Sequence, residues 1–301
     1  MNKSVSIFVI IVTYKGHQWY DRCFTSLRES SMPLKTIVVD NASDDGTIEY
    51  IREHFPEIHL IESKENLGFG RANNLGMRYA LDNGCDYVFL LNQDTWIEND
   101  TLQQLIKVHE KHPEYGILSP IVLNSAKDHI NMMIGLNYDN RPLISDLYFG
   151  KFEDVYETNY VSACSWLMPR KTLEMIGGFD PIFFHYEEDD NYIHRAYFHG
   201  LKIGISPKAR MVHDHCDSVF SNESIALRKQ QFLLAEWTNI NNPFSIHTIV
   251  RYYLRKWFLC LLSMQIKKAQ IYRKNLLFCI KMRKAILSSR NNNKQPKTSW
   301  L

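Results

Sequence analysis

Between Val5 and Leu91 four short runs rich in β-branched and aliphatic residues alternate with three stretches of helical periodicity. This alternation leaves the chain very few folds. The runs are Val5 to Val12, Thr36 to Val39, Ile58 to Glu62 and Asp86 to Leu91; the helical stretches are Trp19 to Ser30, Thr47 to His54 and Gly70 to Asn83. The first run is almost continuously apolar, as a strand covered on both faces must be, so the pattern predicts parallel strands with helices packed on either side. In such a sheet ligands bind beyond the carboxyl ends of the strands. The residues there are Thr13 and Tyr14, Asp40 and Asn41, Glu65 and Asn66, and Asn92, Gln93 and Asp94. They are polar and acidic where a core would have none.

Farther along the pattern is less regular. It predicts a helix over Leu102 to His112, strands over Gly116 to Val122 and Tyr160 to Met168, a helix over Tyr192 to His199, and two strands, Ile203 to Ser206 and Ala209 to His215. From Ser245 to Leu287 the chain reads as helical, basic and aromatic. The expected organisation is an α/β domain over 1–240, a basic helical segment over 241–290 and a disordered tail over 291–301.

Charge is unevenly spread. Thirteen of the 35 Lys and Arg residues lie from Arg251 onward, where there is no Asp or Glu, so the preceding 250 residues hold 22 basic against 33 acidic groups. A cationic, aromatic segment of this kind suits an amphipathic helix pair on the anionic inner leaflet of a membrane, or a solvated face against the acidic front. Nucleic acid is not expected as a partner, because most of the chain is acidic and no nucleic-acid motif is present. The longest apolar stretch of the segment, Trp257 to Leu262, is far short of the ~20 residues that span a bilayer. The opening residues, with only Lys3 ahead of an apolar run and no small-residue cleavage site after it, read as a strand rather than a secretory signal. Six widely separated cysteines without a CxxC pair argue against a disulfide scaffold and a zinc ribbon. The expected location is therefore a reducing cytoplasm, at the inner face of the membrane if the basic segment binds there.

Five segments carry the chemistry. They are Val12, Thr13, Tyr14, Lys15; Val38 to Gly46 with Asp40, Asn41, Asp44 and Asp45; Asn66 to Asn74 with Gly68, Gly70 and Arg71; Leu90 to Asp94; and Gly177, Gly178, Phe179, Asp180 leading to Glu188 and Asp189. In this order and spacing they resemble the family 2 glycosyltransferases, inverting enzymes that use nucleotide-diphosphate sugars, and most of all the rhamnosyltransferase-type members. The resemblance covers about residues 5 to 220. It implies the GT-A fold, a Rossmann-like mixed sheet with helices on both faces, to which the basic helices are appended.

The residues themselves support a site. Asp40 ends a buried strand and can accept hydrogen bonds from a base or ribose, or cap the next helix; the resemblance implies the first. Asn66, Gly70, Arg71 and Asn74 belong to a glycine-punctuated loop that allows close backbone approach, with Arg71 able to pair with a diphosphate. Thr13, Tyr14, Asn41, Asn92 and Gln93 complete the expected nucleotide contacts. Asp94 stands where the family has its Asp-x-Asp motif and is the candidate ligand for Mn²⁺ or Mg²⁺, which takes few protein oxygens and completes its shell with phosphate and water. Asn92 replaces the first acid of that motif. His213 is the second candidate ligand by resemblance, and His215 a weaker one.

Glu187, Glu188, Asp189 and Asp190 are adjacent acids that raise one another's proton affinity, which suits a general base near a hydroxyl nucleophile. The family's Glu-Asp pair falls on Glu188 and Asp189 when Arg195 is taken as the arginine that follows it, so the resemblance implies Asp189 as base with Glu188 beside it. Trp166, Phe184 and Tyr186 are either an aromatic platform for the acceptor or core. The function implied is transfer of a sugar from a UDP- or dTDP-sugar to a saccharide or lipid-linked acceptor in cell-surface polysaccharide synthesis, by direct displacement. A non-catalytic nucleotide-sugar-binding or scaffold protein of the same fold is the alternative.

Overall fold

A computed structural model describes residues 5–131, 141–214 and 222–296. The first half runs β1 (Ile7–Thr13), α1 (Tyr20–Arg28), β2 (Lys35–Asp40), α2 (Thr47–His54), β3 (His59–Glu62), α3 (Gly68–Asp82), β4 (Tyr87–Asn92), β5 (Thr95–Ile97), α4 (Thr101–Lys111) and β6 (Tyr115–Leu123). Then follow α5 (Arg141–Phe149), β7 (Tyr156–Glu157), β8 (Ser165–Pro169), α6 (Arg170–Ile176), α7 (Glu188–Phe198), β9 (Lys202–His213), α8 (Asn222–Thr238), α9 (Ile246–Leu262) and α10 (Ile266–Asn293).

Residues of β1 alternate between two cores, Phe8 and Ile10 in one and Ile7, Val9 and Ile11 in the other. That is the two-residue period of a strand buried on both sides. Helices α1, α2 and α4 cover one face through Phe24, Ile51 and Leu102, while α3, α6 and α7 cover the other through Met77, Leu173 and Tyr192. Strands β3, β2, β1 and β4 are parallel. Beyond β4 the pairing changes: β8 is antiparallel to both β4 and β6, β9 lies parallel to β6, and β5 closes the edge antiparallel to β9. The sheet is therefore mixed, and its parallel half carries the first three strand-end loops to one edge.

Three expectations are revised. The strand expected over Tyr160 to Met168 starts only at Ser165, which frees Tyr160 for a loop. The two strands expected between Ile203 and His215 are one strand, β9, with a register shift after Ser206; Pro207 has no N–H to give the ladder, so the strand bulges rather than ends. His215 lies outside the described residues. Helix α7 begins at Glu188, so the acids form its first turn instead of preceding it.

The last three helices pack on the rest through Phe183, which shares a cluster with Leu234, Trp237, Tyr253, Leu276, Cys279 and Ile286. Helix α10 continues to Asn293, into the segment expected to be disordered. Its end is fixed: Ser289 Oγ and Asn293 Nδ2 each donate to Asp180 Oδ2 at 2.6 Å.

Candidate active site

The carboxyl ends of β1, β2 and β4 open into a cleft of about 410 Å³. Tyr14, Asn41, Asn66, Asn92, Gln93 and Asp94 line it, all expected from the sequence, together with Val12, Gly68, Phe69, Phe184 and His185. Its walls are fixed by amides bonded to backbone. Asn41 accepts from the Leu67 N–H at 3.1 Å and donates to the Gly68 carbonyl at 3.2 Å. Gln93 accepts from the Tyr14 N–H at 2.9 Å and donates to the Tyr14 carbonyl at 3.1 Å. Gly68 has φ of 78°, and a Cβ there would stand 1.9 Å from the Phe184 carbonyl oxygen. Only glycine lets the 66–70 loop meet the segment that leads to the acids.

Asp94 faces His213. Strand β5 pairs Thr95 with His213, and this places Asp94 Oδ2 3.1 Å from His213 Nε2. A carboxylate oxygen and an imidazole nitrogen so close are a donor pair that fits Mn²⁺ or Mg²⁺ when the remaining positions go to phosphate oxygens and water. Among the described residues no three His, Cys, Asp or Glu side chains converge on one point, so such an ion would depend on its substrate for ligands. The neighbouring Asp214 accepts from the Trp19 indole at 3.3 Å, which ties this edge to the turn after β1.

The acids are placed by strain. Tyr186 and Glu187 both have left-handed backbones, with φ of 69° and 66°, a conformation that costs non-glycine residues about 1–2 kcal/mol each. The chain thereby turns from Phe184 and His185 at the cleft directly into the first turn of α7. There the positive end of the helix favours anions, but burial opposes it. Burial is the main cause that pushes Glu188 up to about 8, with repulsion from Asp189 next. Glu187, Asp189 and Asp190 are raised for the same first reason. Asp189 Oδ2 accepts from the Tyr160 hydroxyl at 2.8 Å, which counteracts part of that rise. Glu188 Oε2 is buried without a partner among the described residues.

Several expected contacts prove to be internal. Asp40 is fully buried, accepting from Thr13 Oγ1 at 2.9 Å and from the Ser43 N–H and hydroxyl at 2.8 and 2.7 Å. Its carboxylate, and Thr13 with it, shapes the loop and does not line the cleft. Asn74 clamps the backbone of Phe179, accepting its N–H at 2.7 Å and donating to its carbonyl at 2.9 Å. Arg71 reaches the Pro181 carbonyl at 2.9 Å, and a Cβ on Gly70 would lie 2.9 Å from Phe179 Cβ. All three serve the packing of α3 on the 177–183 loop. Trp166 is core, wholly buried against Phe179 and Tyr192. Phe184 is exposed at the cleft, and the Tyr186 ring lies under Arg228 at 5.1 Å. Tyr160 was not among the expected site residues: the pattern reads it as the start of a strand, whereas it stands in the loop before β8.

Comparison with known proteins gives the family and the fold. Residues 8–177 match the family model described as glycosyl transferase family 2. The low-salt glycan biosynthesis hexosyltransferase Agl10 of Haloferax volcanii is 26% identical over 210 residues, 68% of this chain and 66% of that protein. The dTDP-rhamnosyl transferase RfbF of Shigella flexneri is 23% identical over 209 residues, 69% of each. The chain thus spans about two thirds of the length of these relatives. Among solved structures, S. aureus TarS residues 1–349 in complex with UDP superposes with a TM-score of 0.58 at 15% identity, covering 96% of this chain and 88% of that one. GalNAc-T7 with UDP, GalNAc and Mn²⁺ gives 0.59 at 14% identity, covering 77% of this chain and 48% of that one. The fold is the GT-A fold of these enzymes.

Proposed function

The chain belongs to glycosyl transferase family 2, and from that premise we propose that it is an inverting enzyme moving a sugar, rhamnose or another hexose, from a UDP- or dTDP-sugar to a saccharide or lipid-linked saccharide. The observation that carries this reading is the continuity of segment 183–189. Phe184 and His185 line the strand-end cleft, and the next turn of chain presents Asp189. A donor lying in the cleft would have its sugar directed towards a base.

The chemistry follows from the residues. Asn41, Asn66, Asn92, Gln93 and Tyr14 offer neutral donors and acceptors to the nucleotide, in walls already fixed by backbone hydrogen bonds. Asp94 and His213 would hold Mn²⁺ or Mg²⁺, which when bound offsets negative charge on the diphosphate. Asp189 takes the proton of the acceptor hydroxyl as its oxygen bonds to the anomeric carbon. The electrons of the breaking bond leave with the nucleotide diphosphate, and the anomeric centre inverts. Tyr160 keeps the Asp189 carboxylate oriented and favours its ionised form; Glu188, with its raised proton affinity, stays protonated beside it and limits repulsion. Asn92 in place of an acid leaves Asp94 as the one carboxylate of that motif. We place the enzyme in the cytoplasm.

Calorimetric titration with UDP and dTDP, with and without Mn²⁺, tests the donor site. Binding should need the metal and weaken about 10–100-fold in Asp94→Ala. Equal binding by the variant would remove the metal assignment; absence of binding to either nucleotide would favour a scaffold of the same fold or another base.

A further inference from the structure

Helices α9 and α10 form a hairpin whose buried side is narrow. Tyr253 and Cys260 of α9 and Ala269, Leu276, Cys279 and Ile286 of α10 are covered, and this roughly seven-residue rhythm leaves much of the opposite face of both helices outward. The hairpin turn exposes several apolar side chains together. Leu262 is 67% exposed, Met264 83% and Ile266 52%, with Phe258 one turn back at 60%. The turn itself is well formed: the Gln265 N–H bonds the Cys260 carbonyl at 2.8 Å, and Met264 takes a left-handed φ of 54°. Lys267 and Lys268 follow it in the first turn of α10, Arg255 and Lys256 lie about two turns back in α9, and the sequence has no acid from Arg251 to its end.

We propose that the α9–α10 turn is a docking surface for an anionic lipid bilayer. Its aliphatic tip enters the headgroup boundary while the surrounding cations face the anionic lipids. The order of residues supports a bilayer rather than another occupant. Aliphatic groups occupy the turn and cations flank it along both helices, as an interface between hydrocarbon and charged headgroups requires. An acidic protein would be met by cations at the centre of the patch, and nucleic acid by cations and stacking rings rather than Leu and Met. No described helix is long and apolar enough to cross a membrane, so the contact is peripheral. It also bears on the acceptor. Tyr252 and Tyr253 of α9, with Trp237 and Phe244, line a cleft of about 390 Å³ that includes Glu236, whose charge acts on Glu187 and Asp190. A docked hairpin would put an aromatic cleft between the lipid and the acids.

The test is sedimentation of the full chain with vesicles of phosphatidylcholine alone and of phosphatidylcholine mixed with phosphatidylglycerol. It reads surface binding without turnover, so it stands or falls separately from the transferase reading. Binding should appear only on the mixed vesicles and weaken at high salt. Lys267→Gln with Lys268→Gln should lower partition about 30-fold, and Leu262→Ser with Met264→Ser at least about tenfold. All four positions are exposed, and an unchanged circular dichroism spectrum and Tm would show that the fold is kept. Equal binding to both vesicles, no binding to either, or a dimer in solution that the Leu262 and Met264 substitutions convert to monomer would overturn the proposal.

Discussion

The two walls of the candidate active site are made of opposite materials. On the strand-end side, Asn41 and Gln93 are neutral amides bonded to backbone, and Asp40, the buried carboxylate there, accepts three hydrogen bonds. On the α7 side four consecutive acids crowd one helix start, burial raises all of them, and Glu188 Oε2 has no partner among the described residues. The first wall is satisfied before any ligand arrives, which is what rigid recognition needs. The second is kept electrostatically unfavourable, which is what a group that must take up a proton needs. The largest expected effect tests this division directly. Asp189→Asn keeps the shape and the Tyr160 contact but removes the base, so kcat for sugar transfer should fall about 10²–10⁴-fold while nucleotide affinity stays within twofold. Turnover near the wild-type level would show that the acid wall is not the proton acceptor; a matching loss of nucleotide affinity would show that the walls are not separate.

The same division explains what could be read from the sequence. Strand runs and the rule that ligands bind beyond strand ends were enough to bring Tyr14, Asn41, Asn92, Gln93 and Asp94 to one cleft. The family pattern singled out Glu188 and Asp189, which open α7 a few residues after the cleft-lining Phe184 and His185. What the pattern cannot encode is direction. Asn74, Arg71 and Trp166 belong to the right elements, but which side of α3 or β8 meets a ligand depends on what packs opposite, here Phe179 and its neighbours. Contacts far apart in sequence are hidden for a related reason. Tyr160 meets Asp189 from a loop that the sequence reads as strand, and Asp180 holds Ser289 and Asn293 across more than a hundred residues. The polar end of α10 reads as disordered when taken alone, because its order comes from a partner that local composition does not reveal.

Asn74 joins the two walls, and its substitution should have the next largest effect. Its amide satisfies both the N–H and the carbonyl of Phe179 in a buried setting, so Asn74→Ala leaves two backbone groups without partners. The expected loss is about 1–3 kcal/mol of unfolding free energy, read from denaturant midpoints. If Asn74 instead contacted the nucleotide, as its motif position implies, the variant would lose affinity with stability unchanged. Comparing the midpoint with the UDP and dTDP titrations separates the two roles, because a backbone clamp moves the first and a ligand contact the second.

The smallest expected effect concerns the pH behaviour of the acid wall. Glu188 is pushed up to about 8 in the folded chain, chiefly by burial, against about 4.3 for an exposed glutamate. The folded state therefore binds more protons than the unfolded state between those values, and stability must fall as pH rises across the interval. The stabilising share is complete below the unfolded pKa and lost as pH passes the folded one. Glu188→Gln carries a fixed neutral amide in the same place and removes this contribution to the slope. The difference in Tm between about pH 6 and pH 9 should accordingly narrow by about 2–4 °C in the variant. The strand-end wall supplies the control: Asn41 and Gln93 do not titrate, so Gln93→Ala should shift Tm by a similar amount at both pH values. A Glu188→Gln profile parallel to the wild type would mean that another group carries the proton, and the contrast between a satisfied wall and a titrating one would have to be redrawn around Asp190 and Glu187.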